Sequence, residues 1–188
     1  LSISLPTFSQ YAATHRYDLF VPQAGWLPLA EGRPYSWLKI PLIRRLFAIG
    51  YEEVLWIDSD VVIRRHDKDI AADCTTAPMH MVVHETDDGS VPNCGVWLLR
   101  READAVLEAA WRRADSRRWW EQSAVIAELG GDPDAQKVSV PSGPLWGELP
   151  YEWNPHIQDR RGVPGDCRFF HATMCHDRAL AMRRMCAT

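Results

Sequence analysis

Two aspartates separated by one serine, Asp58-Ser59-Asp60, are the residues of this chain with the clearest chemical potential. They sit between the apolar run EVLWI (53–57) and the shorter run VVI (61–63), where a buried strand would end. In open α/β sheets, ligands bind beyond the carboxyl ends of the strands. Two carboxylates at such a point repel each other unless a cation neutralises them, and a hard divalent ion with oxygen ligands suits them. Held by only one or two carboxylates, that ion keeps positions open for phosphate oxygens.

The elements that must position this pair read as follows. LSISL (1–5) is expected to be a strand, 7–15 a short helix carrying Tyr11, and YDLFVP (17–22) a second strand closed by Pro22. The segment 36–49 has helical periodicity, with Ser36 as N-cap, Pro41 in the tolerant early part and Gly50 as the stop. MHMVVH (79–84) and CGVWLL (94–99) read as strands, 101–114 and 119–129 as helices, and QKVSV (136–140) as a short strand. Strands alternating with helices predict an α/β domain with a mostly parallel central sheet, spanning 1–188 without a linker or repeat.

Composition excludes several functions. Lys and Arg number 21 against 25 Asp and Glu, a net charge of −4 that argues against nucleic-acid binding. No apolar stretch approaches the ~20 residues of a membrane span. The start, LSISLPTF, lacks the pattern of a signal peptide and an initiator Met, so the first strand is expected to be clipped. Cys74, Cys94, Cys167, Cys175 and Cys186 are odd in number and form no CxxC, which points to reduced thiols and a cytoplasmic protein. The run Cys167, His171, Cys175, His176 carries zinc-ligand types, but not at the spacing of a standard zinc knuckle. The paired arginines are spread evenly and read as solvated faces.

From Tyr35 to Ile63 the sequence YSWLKIPLIRRLFAIGYEEVLWIDSDVVI resembles the nucleotide-sugar transferases of the GT-A fold. It is most similar to the galactosyl/xylosyltransferases of glycosyltransferase family 34, with family 8 more distant. Further matches follow in the family's order: Tyr11-Ala12 to Tyr17-Asp18-Leu19, Asn93-Cys94-Gly95-Val96, Glu121-Gln122-Ser123-Ala124, Trp153-Asn154-Pro155, and His171 with Cys175 four residues on. Together they cover nearly the whole chain.

The resemblance implies a single GT-A (Rossmann-like) domain that moves a sugar from a nucleoside diphosphate sugar, by default a UDP-sugar, to an acceptor hydroxyl with retention. Asp58, Asp60 and His171 would hold Mn²⁺ or Mg²⁺. Lys39, one of three lysines and early in its helix, would meet phosphate, as would Asp58 and His176. His176 stands where relatives often carry Lys, and Met174 where they often carry Gly. Gln122 and Glu121 would form the catalytic face, either through same-face attack or with Glu121 as nucleophile. Asn93 leads into a buried strand, where its amide needs partners, and is expected at the sugar or acceptor together with Asn154. His84 and His156 have no assigned role. The Trp/Pro-rich stretch 141–156 is expected to supply contacts to a small-molecule or glycan acceptor.

Two alternatives belong to other classes. A haloacid-dehalogenase-type phosphohydrolase also carries D-x-D after an apolar strand, with the first residue, here Asp58, as nucleophile. A non-catalytic module that keeps the fold would serve binding alone.

Overall fold

A computed structural model describes residues 2–113 and 118–187. In chain order the elements are α1 (Ser4–His15), α2 (Lys39–Ala48), β1 (Glu53–Ile57), β2 (Val61–Ile63), β3 (Met79–Thr86), β4 (Gly89–Arg100), α3 (Asp104–Arg112), α4 (Glu121–Glu128), β5 (Trp146–Glu148), β6 (Phe169–His171) and α5 (Arg178–Cys186). Short 3-10 turns join several of them, including Tyr35–Leu38, which leads directly into α2.

The main sheet has the order β1-β4-β3-β5, and a two-stranded sheet pairs β2 with β6. Alternation along β4 divides the core. Trp97 and Leu99 face α2, α3 and α4, burying Ile40, Ile43, Leu107 and Val125. Val96 and Leu98 face the opposite layer, where α1 lays Phe8 and Tyr11 over Val61, Ile63 and Phe169. Behind the small sheet, α5 is fastened by Met182 against Val62 and Phe170.

The expected mostly parallel sheet is overturned. β1 and β3 both run antiparallel to β4, and only β5 runs parallel to β3. The reason is local: Thr86 pairs with Gly89 across Asp87-Asp88, and Gly89 takes φ +111°. A two-residue connection can only make a hairpin, so the two longest strands are antiparallel.

Other elements also differ from their sequence reading. The described part of 1–5 is turn and helix, because Phe8, Tyr11 and Ala12 bury one helical face and Pro6 falls in the tolerant first turn. Residues 17–22 form no strand, and Leu19 and Phe20 lie 43% and 46% exposed. Residues 136–140 make only an isolated bridge, Val138 to Gly89. The helix read at 101–114 is a 3-10 turn at Arg101–Ala103 followed by α3, and residue 114 lies outside the described residues. Ser36 lies within the Tyr35–Leu38 turn and caps nothing, whereas Gly50 stops α2 at φ +114°. No helix among the described residues is long and apolar enough to cross a membrane.

Candidate active site

The acidic pair lies at the seam between the two sheets. Asp58 N–H still donates to the Gly95 carbonyl at 2.8 Å, extending the β1–β4 ladder by one residue. The chain then turns, with Val61 N–H donating to the Asp58 carbonyl at 3.1 Å, and leaves as β2. Val61 pairs with His171 in β6, and Ala172 N–H donates to the Asp60 carbonyl at 2.8 Å. That register brings a histidine from more than a hundred residues away beside Asp60. The ligand atoms of Asp58, Asp60 and His171 lie within 4.8 Å of one another. Their oxygen and imidazole donors suit a divalent ion such as Mn²⁺ or Mg²⁺.

Lys39 lies at the start of α2 with its side chain 3% exposed, so it is no surface lysine. Its Nζ sits 3.0 Å from Asp58 Oδ1 and 2.9 Å from Glu121 Oε1, and donates to the Cys94 carbonyl at 3.1 Å. Burial alone would lower the affinity of this ammonium for its proton, but the two carboxylates outweigh burial and hold its pKa above the ordinary lysine value. Trp56 Nε1–H donates to Asp58 Oδ1 at 2.7 Å. Glu121 is itself buried, and its Oε2 has no hydrogen-bond partner among the described residues.

An irregularity in β4 makes this arrangement possible. Met81 pairs with Trp97 while Val82 pairs with Asn93, so Cys94, Gly95 and Val96 have no partners on β3. The bulge frees the backbone of Cys94, whose carbonyl takes Lys39 and whose N–H donates to Gln122 Oε1 at 3.2 Å. Glu121 and Gln122 stand at the start of α4, so α2, β4 and α4 meet at one point.

A chain of amides orients the histidine. Gly95 N–H donates to Asn93 Oδ1 at 2.8 Å, and Asn154 Nδ2 donates to the same oxygen at 2.9 Å. That leaves Asn154 Oδ1 to accept from His171 Nδ1 at 3.0 Å. In a neutral ring the proton is therefore on Nδ1 and the lone pair on Nε2, which faces Asp60 Oδ1 at 3.3 Å. Gly95 is required for this packing, since a Cβ there would come within 2.7 Å of His171 Nδ1. Asp60 also holds Arg178 Nη1 at 2.9 Å from its Oδ2. Burial raises the Asp60 pKa, yet His171 and Arg178 outweigh it and keep the carboxyl below its usual range.

These groups line one cleft of about 1250 Å³ that holds Lys39, Asp58, Asp60, Asn93, Glu121, Gln122 and His171. Asn154 is fully buried and is not among the lining residues, so it acts on the site through His171. His176 is exposed and outside the cleft; Arg178, two residues on, lines it and reaches Asp60. Met174 takes a left-handed φ of +63°, the conformation that favours glycine. The zinc-like run does not gather: among the described residues only His171 of it joins a metal-competent group, while Cys167 is packed beside Val62 and Phe170. Of the stretch 141–156 only His156 lines the cleft. Its ring meets that of His84 at 4.0 Å, and burial pushes both imidazoles down, to about 3 for His84 and about 4 for His156.

Sequence reasoning missed Trp56, Gly95 and Arg178 as parts of the site. Trp56 carried a usable signal, since in a strand it shares a face with Asp58 two residues on. Arg178 carried none.

No protein-family model matches the sequence, and no curated protein matches it. Among solved structures, a glycosyltransferase involved in the glycosylation of the major capsid of PBCV-1 superposes with a TM-score of 0.65 at 19% identity, covering 100% of this chain and 92% of that one. Mouse xyloside xylosyltransferase 1 in its apo form gives a TM-score of 0.49 at 13% identity, covering 92% of this chain and 73% of that one. The chain thus has the fold of the PBCV-1 glycosyltransferase over nearly the whole length of both.

Proposed function

We propose that this single domain is a metal-dependent, retaining glycosyltransferase of the cytoplasm, moving a sugar from a UDP-sugar to a hydroxyl of a small-molecule or glycan acceptor. The observation that carries the reading is the convergence of Asp58, Asp60 and His171 within 4.8 Å in a cleft that also holds Glu121 and Gln122. The shared fold with a glycosyltransferase supports it.

Asp58, Asp60 and His171 Nε2 fit a divalent ion. The Nδ1–H is committed to Asn154, so the Nε2 lone pair faces a carboxylate oxygen at 3.3 Å, a pairing that only a shared cation or proton makes favourable. When bound, Mn²⁺ or Mg²⁺ would act as the Lewis acid that stabilises the departing diphosphate. Arg178 offers a guanidinium to the same phosphates from the other side of Asp60.

Glu121 is poorly suited to attack carbon. It is buried, and its Oε1 is neutralised by Lys39 at 2.9 Å, whereas the partnerless Oε2 is suited to accept a sugar hydroxyl. Gln122 has its Oε1 occupied by Cys94 N–H, leaving the amide's Nε2 as a donor. Neither is an activated nucleophile, which favours same-face attack in which the leaving phosphate oxygen takes the acceptor's proton.

The test is titration calorimetry and thermal shift with a panel of nucleoside diphosphate sugars, with and without Mn²⁺ or Mg²⁺, on wild type, Asp60→Asn and His171→Ala. Metal-dependent binding of a donor, lost in both variants, is expected. Donor binding that ignores metal and both substitutions would refute the metal site, and a product of inverted configuration would refute retention.

A further inference from the structure

His84 and His156 line the cleft, and only 2% and 5% of their surface is exposed. The β3–β4 register places the first of them. His84 pairs with Val91 and Val82 with Asn93, so Asn93, Val91, His84 and Thr86 share one face of the hairpin. His84 thus lies two residues, roughly 7 Å, beyond Asn93 along the sheet. The His156 ring meets it edge-on, with centroids 4.0 Å apart.

Each ring commits one nitrogen to the backbone. His84 Nε2 stands 2.5 Å from the Asn154 carbonyl, so it carries the proton and Nδ1 keeps the lone pair. His156 Nδ1 accepts from Gln158 N–H at 3.1 Å, so its proton is on Nε2. Burial keeps both rings neutral at pH 7. The remaining nitrogens, an acceptor on His84 and a donor on His156, have no hydrogen-bond partner among the described residues. Neither is sealed from solvent as His80 Nδ1 is. Phenylalanine would give the same ring contact without the cost of burying an imidazole, so packing does not account for the two histidines.

We propose that His84 Nδ1 and His156 Nε2–H together bind one hydroxyl of a sugar ring, which donates to the first and accepts from the second. That ligand class rests on the glycosyl-transfer reading above. A hydroxyl is a group that both donates and accepts, whereas a carboxylate cannot donate to His84 and an ammonium cannot accept from His156. Arg16, Arg118 and Arg178 line the same cleft and offer guanidiniums to an anionic part of the ligand, which leaves the imidazole pair to read a neutral part. Asn154 joins the pair to the candidate metal centre, since its carbonyl takes His84 and its side chain takes His171. A sugar ring beside that centre belongs either to the donor or to the acceptor.

Wild type, His84→Phe, His156→Phe and, as control, His80→Gln test this; His80 is equally buried but lies outside the cleft. Two sets of probes are titrated by calorimetry with Mn²⁺. One set is UDP-glucose, UDP-galactose and UDP-xylose with their monodeoxy analogues. The other is methyl glycosides of the same sugars with theirs, in the presence of UDP. Melting temperatures without ligand show that each variant folds, and the two Phe variants are read independently. In wild type and His80→Gln, one monodeoxy analogue should bind roughly tenfold more weakly than its parent. That preference should fall below about threefold in His84→Phe and in His156→Phe. The set in which it appears assigns the hydroxyl to donor or acceptor. A preference that survives in either folded Phe variant, one lost equally in His80→Gln, or a wild type indifferent to every hydroxyl would overturn the proposal. A wild type that shows the preference with glycosides but no thermal shift with UDP–Mn²⁺ would keep the pair and sink the transferase reading. A UDP–Mn²⁺ shift without the preference would do the reverse.

Discussion

Replacing Lys39 with methionine keeps side-chain length and removes the charge on which two carboxylates depend. Lys39 and Glu121 expose 3% and 5% of their side chains, so Glu121 would become a buried anion without a counter-ion, and the Cys94 carbonyl would lose its donor. Removing one member of a buried pair costs about 3–5 kcal/mol, because the remaining charge stays desolvated. For a chain of this size each kcal/mol moves the melting temperature by about 2–4 °C, so Lys39→Met should melt roughly 6–20 °C lower. The sign with pH also follows. Lys39 is held above its ordinary pKa, so its contribution is complete below the unfolded lysine value of about 10.4 and fades only as pH rises past that. The deficit should therefore be constant from pH 7 to 9. Adding Glu121→Gln removes the orphaned charge, and the double variant should recover more than half of the loss. Scanning calorimetry with urea denaturation reads both numbers. A Lys39→Met protein melting within about 2 °C of wild type, or a double variant no better than the single one, would refute the linkage between α2, β4 and α4.

Gly95→Ala places a Cβ against His171 Nδ1 and Asn93 Oδ1, at 2.7 and 2.8 Å, and should abolish Mn²⁺-dependent thermal stabilisation. Undiminished Mn²⁺ stabilisation would show that His171 does not need that packing. His80, His84 and His156 are held neutral by burial, at about 4, 3 and 4, so the unfolded chain binds more protons than the native one below about pH 6.5. Stability should fall as pH drops, by about 2 kcal/mol per ring at pH 5. Urea titrations at pH 7.5, 6 and 5 measure this, and His80→Gln should flatten the slope. A slope unchanged in that variant would exclude His80 from it. Met174→Gly suits φ +63° and should raise the melting temperature by a few degrees, about 1 kcal/mol; a lower value would count against strain at that turn.

Most of the site's ingredients were legible in the chain because they depend on short-range order. The apolar run before Asp58, the helix stopped by Gly50 and the acidic-amide start of α4 are each carried within a few residues. The parallel sheet was misread for the same reason. Alternation reveals strands but not their direction, which the Asp87-Asp88-Gly89 hairpin decides. Residues 2–5 are turn and helix and not the expected strand because the helical face Phe8, Tyr11, Ala12 outweighs a short apolar start.

What the chain by itself determined was the list of candidate groups: two carboxylates after a buried strand, a histidine near the end, and an acid-amide pair opening a helix. Tertiary structure alone decided their state. Lys39 turned from an expected phosphate contact into the buried counter-ion of Asp58 and Glu121, and Asn154 from a sugar contact into the group that sets the His171 tautomer. His176, expected at the phosphate, stays outside the cleft, while Arg178 lines it beside Asp60 and Trp120 lines it as well. The physical reason is that charge, protonation and hydrogen-bond partners depend on what lies within about 3 Å. In this protein those neighbours come from distant segments: Lys39, Cys94 and Glu121 meet at the β4 bulge, and Asp60 and His171 meet through the β2–β6 register.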